Sequence, residues 1–208
     1  MIKTIIFDLG GVIIDIDYSQ TIDKFRQIRR NIIKDILSLD EVEKINNQYE
    51  TGEISDAEFR FLLQEYLKIS VNDDIFDDAW NALLVGFNDD SVTLVKELQK
   101  GYKVCLLSNT NKIHYEYINK MIRSAGIAEN LKDLFDITFL SYELGMKKPD
   151  RKIFEHVIGI LDVKPAEILF IDDLKMNVDI AGEVGIQTIH ITDNKEIINV
   201  VNQFLEKQ

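Results

Sequence analysis

Short runs of apolar residues punctuate the chain at 5–7, 102–107, 137–140, 168–171 and 188–191. Each is rich in β-branched residues and bounded by turn signals, the pattern of strands buried in a parallel sheet. The segments between them change period. Over 90–100 the residues Val92, Val95 and Leu98 share one helical face, and Gly101 follows as a stop. Segments 152–161 and 176–184 behave the same way, with Gly185 closing the second. Strands alternating with helices predict βαβ units and an α/β fold around a parallel sheet.

The alternation fails between residues 18 and 87. That stretch reads as consecutive helices near 19–37, 41–49 and 73–85, with no strand among them. Ser55-Asp56-Ala57-Glu58 matches a capping box that opens one more helix toward Tyr66. A helical block inserted just after the first strand predicts a cap over the C-terminal edge of the sheet. The expected division is therefore a core of 1–17 and 88–208 and an α-helical cap of 18–87.

With 208 residues the chain can build one sizeable core and still carry such an insert. Its formal net charge of −12 argues against nucleic acid and anionic membranes as partners. An anionic small molecule stays open as a substrate, because a metal ion or helix N-terminus can supply local positive field. Cys105 is the single cysteine and lies in the apolar run Val104-Cys105-Leu106-Leu107, so it reads as a core thiol. No stretch reaches transmembrane length, and Asp8 interrupts the N-terminal apolar run too early for a signal peptide. A cytoplasmic protein is expected. Nothing in the pattern sets an oligomeric state.

The candidate chemistry collects where strands end. Asp8 follows the first run directly and precedes Gly10 and Gly11, which let a ligand approach the backbone. A carboxylate there sits where open α/β sheets bind ligands. Ser108-Asn109-Thr110-Asn111 follows the second run; its hydroxyl and amide groups suit phosphate oxygens, though taken alone the turn is better read as a plain N-cap. Lys148 precedes Pro149, which favours extended backbone and can aim the ammonium inward; a solvated basic loop is the alternative. Asp172 and Asp173 follow the run 168–171, with Asn177 nearby. Adjacent carboxylates after a buried strand repel each other unless a cation holds them, and hard oxygen ligands suit Mg²⁺. His114, His156 and His190 are not spaced as a shared metal site; His114 is near enough to the 108–111 turn to be a minor substrate-contact candidate.

Taken in order, Phe7-Asp8-Leu9-Gly10-Gly11-Val12, Ser108-Asn109-Thr110, Lys148-Pro149-Asp150 and Phe170-Ile171-Asp172-Asp173 resemble the motifs of the haloacid dehalogenase-like (HAD) hydrolase superfamily across nearly the whole chain. The helical insert resembles the cap of its small-phosphatase subfamily, and the chain looks most like bacterial sugar phosphatases that act on glucose 1-phosphate. The resemblance implies a Rossmann-like parallel sheet core, a Mg²⁺ cofactor and a small phosphorylated metabolite as substrate. It implies that Asp8 is the nucleophile forming an aspartyl-phosphate. Ser108 and Asn109 would bind the phosphoryl group and Lys148 would neutralise it. Asp8, the Gly10 carbonyl, Asp173 and, directly or through a water, Asp172 or Asn177 would hold the metal. Gly10 departs from the family, whose phosphatases mostly carry a second aspartate there as general acid and base. Asp15, Asp17, a water, or a group on the cap or substrate would have to substitute, or the leaving group must need little help. Two alternatives follow. A 2-haloacid dehalogenase also lacks that aspartate, but Asp172-Asp173 favours phosphoryl chemistry. A catalytically weak metabolite- or partner-binding member is the other.

Overall fold

The computed structural model describes residues 1–29 and 39–207. Its strands are β1 (Thr4–Phe7), β2 (Ile14–Ile16), β3 (Leu84–Phe87), β4 (Lys103–Ser108), β5 (Ile137–Leu140), β6 (Ile168–Asp172) and β7 (Gln187–His190). The helices are α1 (Tyr18–Arg29), α2 (Leu39–Glu50), α3 (Asp56–Leu67), α4 (Asp73–Asn81), α5 (Asp89–Leu98), α6 (Lys112–Ser124), α7 (Ser141–Leu144), α8 (Arg151–Leu161), α9 (Lys175–Glu183) and α10 (Ile197–Leu205).

A parallel sheet in the order β5-β4-β1-β6-β7 forms the core, as the apolar runs predict. Alternate side chains of each strand feed opposite faces. Ile5, Phe7, Val104, Leu106, Leu169 and Ile171 pack with α5, α6 and α10; Ile6, Cys105, Leu107, Phe139 and Phe170 pack with α8 and Ala181 of α9. Burying one such side chain contributes roughly 1.5–3 kcal/mol, so the strand ends are held on a stiff platform. From β1 the chain crosses to β4 on one side, and from β6 it crosses to β7 on the other. The two connections diverge, which opens a crevice between the C-terminal ends of β1 and β6.

The helical block differs from its sequence reading in one respect. The predicted 73–85 helix stops at Asn81, and β3 follows it, paired antiparallel with β2 through Ile14–Phe87, Asp15–Gly86 and Ile16–Leu84. Val85 and Gly86 are poor helix formers, and the pairing that makes them a strand comes from a distant segment no local period can register. The ribbon ties the start and end of the block together, with Asp17 N–H donating to the Leu83 carbonyl at 2.9 Å. The predicted 19–37 helix is seen as α1, and its remainder lies outside the described residues. The capping box is present: Ser55 Oγ accepts from Glu58 N–H at 3.3 Å and Glu58 Oε2 accepts from Ser55 N–H at 2.8 Å.

α1–α4 enclose their own apolar cluster of Phe25, Ile45, Tyr49, Phe59, Leu63, Phe76 and Trp80, which Ile113 of α6 enters from the sheet side. Phe61 is exposed rather than part of it. Polar contacts fix the same seam. The Tyr49 hydroxyl donates to Asp56 at 2.9 Å and accepts from Ile113 N–H at 3.1 Å. His114 stacks on Trp80 at 5.3 Å and its Nδ1 lies 2.8 Å from Asn81 Oδ1. Burial lowers the His114 pKa to about 3, so it is a neutral seam residue. Cys105 is buried and its thiol pushed up to about 12, which leaves it inert. Among the described residues no helix is long and apolar enough to cross a membrane.

Candidate active site

Each signal read from the sequence arrives at the same edge of the sheet. Asp8 leaves β1, Ser108 ends β4, and Asp172 ends β6 with Asp173 just beyond. Lys148 lies on the loop between α7 and α8 and reaches the β1–β6 crevice with its side chain 1% exposed. Its ammonium meets Asp8 Oδ1 at 2.7 Å and Asp172 Oδ2 at 2.6 Å, and sits 5.3 Å from the centre of the Phe170 ring. Burial pulls Lys148 down, but Asp8 and Asp172 reverse that and raise its pKa. Burial raises Asp8 to about 7 against the opposing pull of Lys148. A buried carboxylate of this kind is poorly solvated, and the ammonium beside it offsets part of that cost.

Asp172 is fully buried, and its acceptor capacity is largely engaged. Oδ1 takes Leu174 N–H at 2.8 Å and Asn177 Nδ2 at 2.9 Å; Oδ2 takes Lys148 and, at 3.0 Å, the same amide nitrogen. Asp173 is partly open, and burial followed by Asp172 raises its pKa. His190, on the end of β7, places Nε2 2.9 Å from the Asp173 carbonyl oxygen. The carboxylates of Asp8, Asp172 and Asp173 offer oxygens all within 4.8 Å of one another. Gly10 bridges Ile14 through the Leu9 carbonyl and the Gly11 N–H, which keeps its own carbonyl out of that ladder. This all-oxygen donor set fits Mg²⁺, with Asp172 the member least available to it.

The Asn109 side chain is engaged with the backbone of Lys148. Its Nδ2 donates to the Lys148 carbonyl at 2.8 Å and its Oδ1 accepts from Lys148 N–H at 2.8 Å. The side chain thus holds the lysine loop, and the main-chain N–H is what Asn109 can offer to a phosphate. Ser108 Oγ is buried with only a 3.4 Å contact to the Asn109 carbonyl. Ser141 Oγ clamps the same turn through both Thr110 N–H and the Thr110 carbonyl, each at 2.9 Å. Asp15 and Asp17, the carboxylates expected to replace the acid missing at Gly10, are committed elsewhere. Asp15 accepts from Asn194 at 2.6 Å; Asp17 caps α1 through Ser19, whose bonds hold its carboxyl below the usual range.

Gly11 is required twice over. Its φ is +73°, and a Cβ there would stand 2.3 Å from Asp173 Oδ2. Gly11→Ala is therefore expected to displace Asp173, raising the Mg²⁺ concentration for half-maximal activity by at least ~10-fold and costing about 1–2 kcal/mol of stability. Metal titration of activity and a thermal melt check this; an unchanged titration would mean Asp173 has no metal role.

Over residues 2–185 the chain matches the family model of haloacid dehalogenase-like hydrolases. It belongs to that family. The hydrolase is 34% identical over 191 residues to D-ribitol-5-phosphate phosphatase of Bacteroides thetaiotaomicron, spanning 90% of this chain and 91% of that protein. Among solved structures, a HAD family enzyme of Bacteroides thetaiotaomicron in complex with magnesium and inorganic phosphate superposes with a TM-score of 0.82 at 36% identity, covering 91% of this chain and 94% of that one. A HAD-like hydrolase structure from Porphyromonas gingivalis matches both chains over 100% of their length, with a TM-score of 0.86 and 29% identity.

Proposed function

We propose that this hydrolase is a Mg²⁺-dependent phosphomonoesterase acting on a small sugar or polyol phosphate. The observation that carries the reading is the buried Asp8–Lys148–Asp172 chain at the β1–β6 crevice, with Asp173 beside it. The Asp8 carboxylate attacks phosphorus in line. A bond from Asp8 to phosphorus forms, the bond to the leaving oxygen breaks, and that oxygen takes a proton from water. A second water then attacks the aspartyl-phosphate, freeing phosphate and restoring Asp8, and the proton it sheds neutralises the hydroxide left by the first. Lys148 fixes the orientation of Asp8 and balances the charge of the transferring group. Ser108 Oγ and the Asn109 N–H hold phosphoryl oxygens. Asp8, Asp173 and the Gly10 carbonyl would hold Mg²⁺, which would supply positive charge to offset the repulsion of nucleophile and phosphate dianion. Residues 18–87 act as the cap over this crevice.

Within the sugar phosphates, glucose 1-phosphate is the first candidate. With no carboxylate at Gly10, a stabilised anomeric leaving group needs less acid assistance. The ribitol 5-phosphate relative supports an open-chain polyol as the second candidate.

The test is phosphate release from p-nitrophenyl phosphate, glucose 1-phosphate and ribitol 5-phosphate, beside halide release from 2-chloropropionate. Phosphate release is expected to fall to background in chelator and to return with excess Mg²⁺. Halide release, or phosphate release undiminished by chelator, would move the protein to dehalogenase or metal-free chemistry.

A further inference from the structure

Asp173 stands on a turn between two regular elements. β6 ends at Asp172 and α9 begins at Lys175, with Asp173 and Leu174 between them. Leu174 is fixed through its N–H, which donates to Asp172 Oδ1 at 2.8 Å. The Asp173 carboxylate lies over Gly11, where a Cβ would stand 2.3 Å from its Oδ2. From there it offers an oxygen within 4.8 Å of oxygens on Asp8 and Asp172. Rotation of the Asp173 peptide would carry the carboxylate off Gly11 and away from Asp8, so that peptide needs a hold of its own.

The edge strand β7 supplies it. Its parallel register with β6 sets His190 beside Asp172, and Ile191 N–H donates to the Asp172 carbonyl at 3.0 Å. His190 then reaches one residue further, with Nε2 2.9 Å from the Asp173 carbonyl oxygen. A carbonyl only accepts, so Nε2 carries the hydrogen and donates it. Two consecutive carbonyls of the turn are thus tied to one strand end, the first by a main-chain N–H and the second by a side chain. The segment after β7 is anchored in turn, because Asn194 Nδ2 donates to Asp15 Oδ1 of β2 at 2.6 Å. His190 is exposed, so core packing does not call for an imidazole at this position.

We infer that His190 is a positioning residue of the metal centre: by donating to the Asp173 carbonyl it orients that peptide so that the Asp173 carboxylate points across Gly11 toward Asp8 and the Mg²⁺ the two would share. Its Nε2 hydrogen is spent on the carbonyl, so it holds the ligand and not the metal. Groups that orient a metal ligand from outside typically account for about 10–100-fold in metal affinity or activity. This inference rests on the Mg²⁺-dependent reading above and adds a residue to the same site.

The test reads metal binding directly, in the absence of substrate. Mn²⁺ takes the same oxygen ligands as Mg²⁺, and the electron paramagnetic resonance signal of free Mn²⁺ reports its Kd. His190→Ala is expected to raise that Kd by about 10-fold or more. His190→Gln keeps an N–H at similar reach and should recover most of the loss. The Mg²⁺ concentration for half-maximal hydrolysis of p-nitrophenyl phosphate should rise in parallel, while kcat and KM at saturating Mg²⁺ stay near those of the wild type. A general loosening of the crevice would lower kcat at saturating Mg²⁺ as well. Thermal melts establish that both variants are folded. An unchanged Mn²⁺ Kd in His190→Ala, or equal losses in the alanine and glutamine variants, overturns the inference. A wild type that binds no Mn²⁺ and hydrolyses p-nitrophenyl phosphate without metal overturns the Mg²⁺-dependent reading itself, and this one with it.

Discussion

Asp8→Asn is expected to bring phosphate release down by on the order of 10⁴-fold or more while the protein stays folded. The substitution preserves shape and removes the negative charge that the proposed mechanism turns on phosphorus. It also removes one of the two carboxylates around the Lys148 ammonium, but Asp172 remains 2.6 Å away and keeps that cation paired. Burial already works against the charged form of Asp8, so a neutral amide relieves a desolvation cost at the same position. Stability should accordingly change by no more than about 1–2 kcal/mol. Phosphate release and a thermal melt measured on one preparation separate the two effects. Near-normal turnover in a folded variant would end the aspartyl-phosphate mechanism.

Lys148→Ala should be nearly as damaging to turnover, and far worse than Lys147→Ala. The Lys148 ammonium is the cation bonded to both Asp8 and the fully buried Asp172. Removing one partner of a buried ion pair costs about 3–5 kcal/mol, because an uncompensated charge stays behind. For a chain of this size that is a fall in Tm of roughly 6–20 °C, since each kcal/mol shifts Tm by roughly 2–4 °C. Turnover should fall by at least ~10³-fold, with Asp8 and the phosphate dianion left to repel each other. Lys147, by contrast, pairs with Glu50 where both side chains keep some solvent contact, at 26% and 15% exposure. Its loss should cost about 1 kcal/mol or less. Should Lys148→Ala not fold, Lys148→Met retains volume and isolates the charge. Equal effects at the two positions would show that Lys148 does not serve Asp8.

The residues at the centre of the site were legible because their positions violate the apolar pattern around them. Asp8 and Asp172 are carboxylates attached directly to buried strands, and Lys148 is fixed by the proline that follows it. The strands were readable from their apolar runs, shifted by a residue at β4 and β7 and one residue longer at β1 and β6. What stayed hidden depends on partners distant in sequence. β2 and β3 are three and four residues long and exist only as a pair. The engagement of Asn109 with the Lys148 backbone spans 39 positions, and that of Lys147 with Glu50 spans 97.

The β2–β3 ribbon bears on how such a chain can change over time. Asp17 and Leu83 are hydrogen-bonded neighbours, and Asn88 N–H returns to the Ile13 carbonyl at 2.9 Å. Seen from the sheet, everything between them is the tip of one hairpin. An element spliced in at such a tip can be lengthened, shortened or exchanged without moving the strand ends that carry the acidic residues, because both ends of the splice are already joined. The ribbon thus separates inheritance of the reaction from inheritance of its selectivity, and each can drift while the other is held.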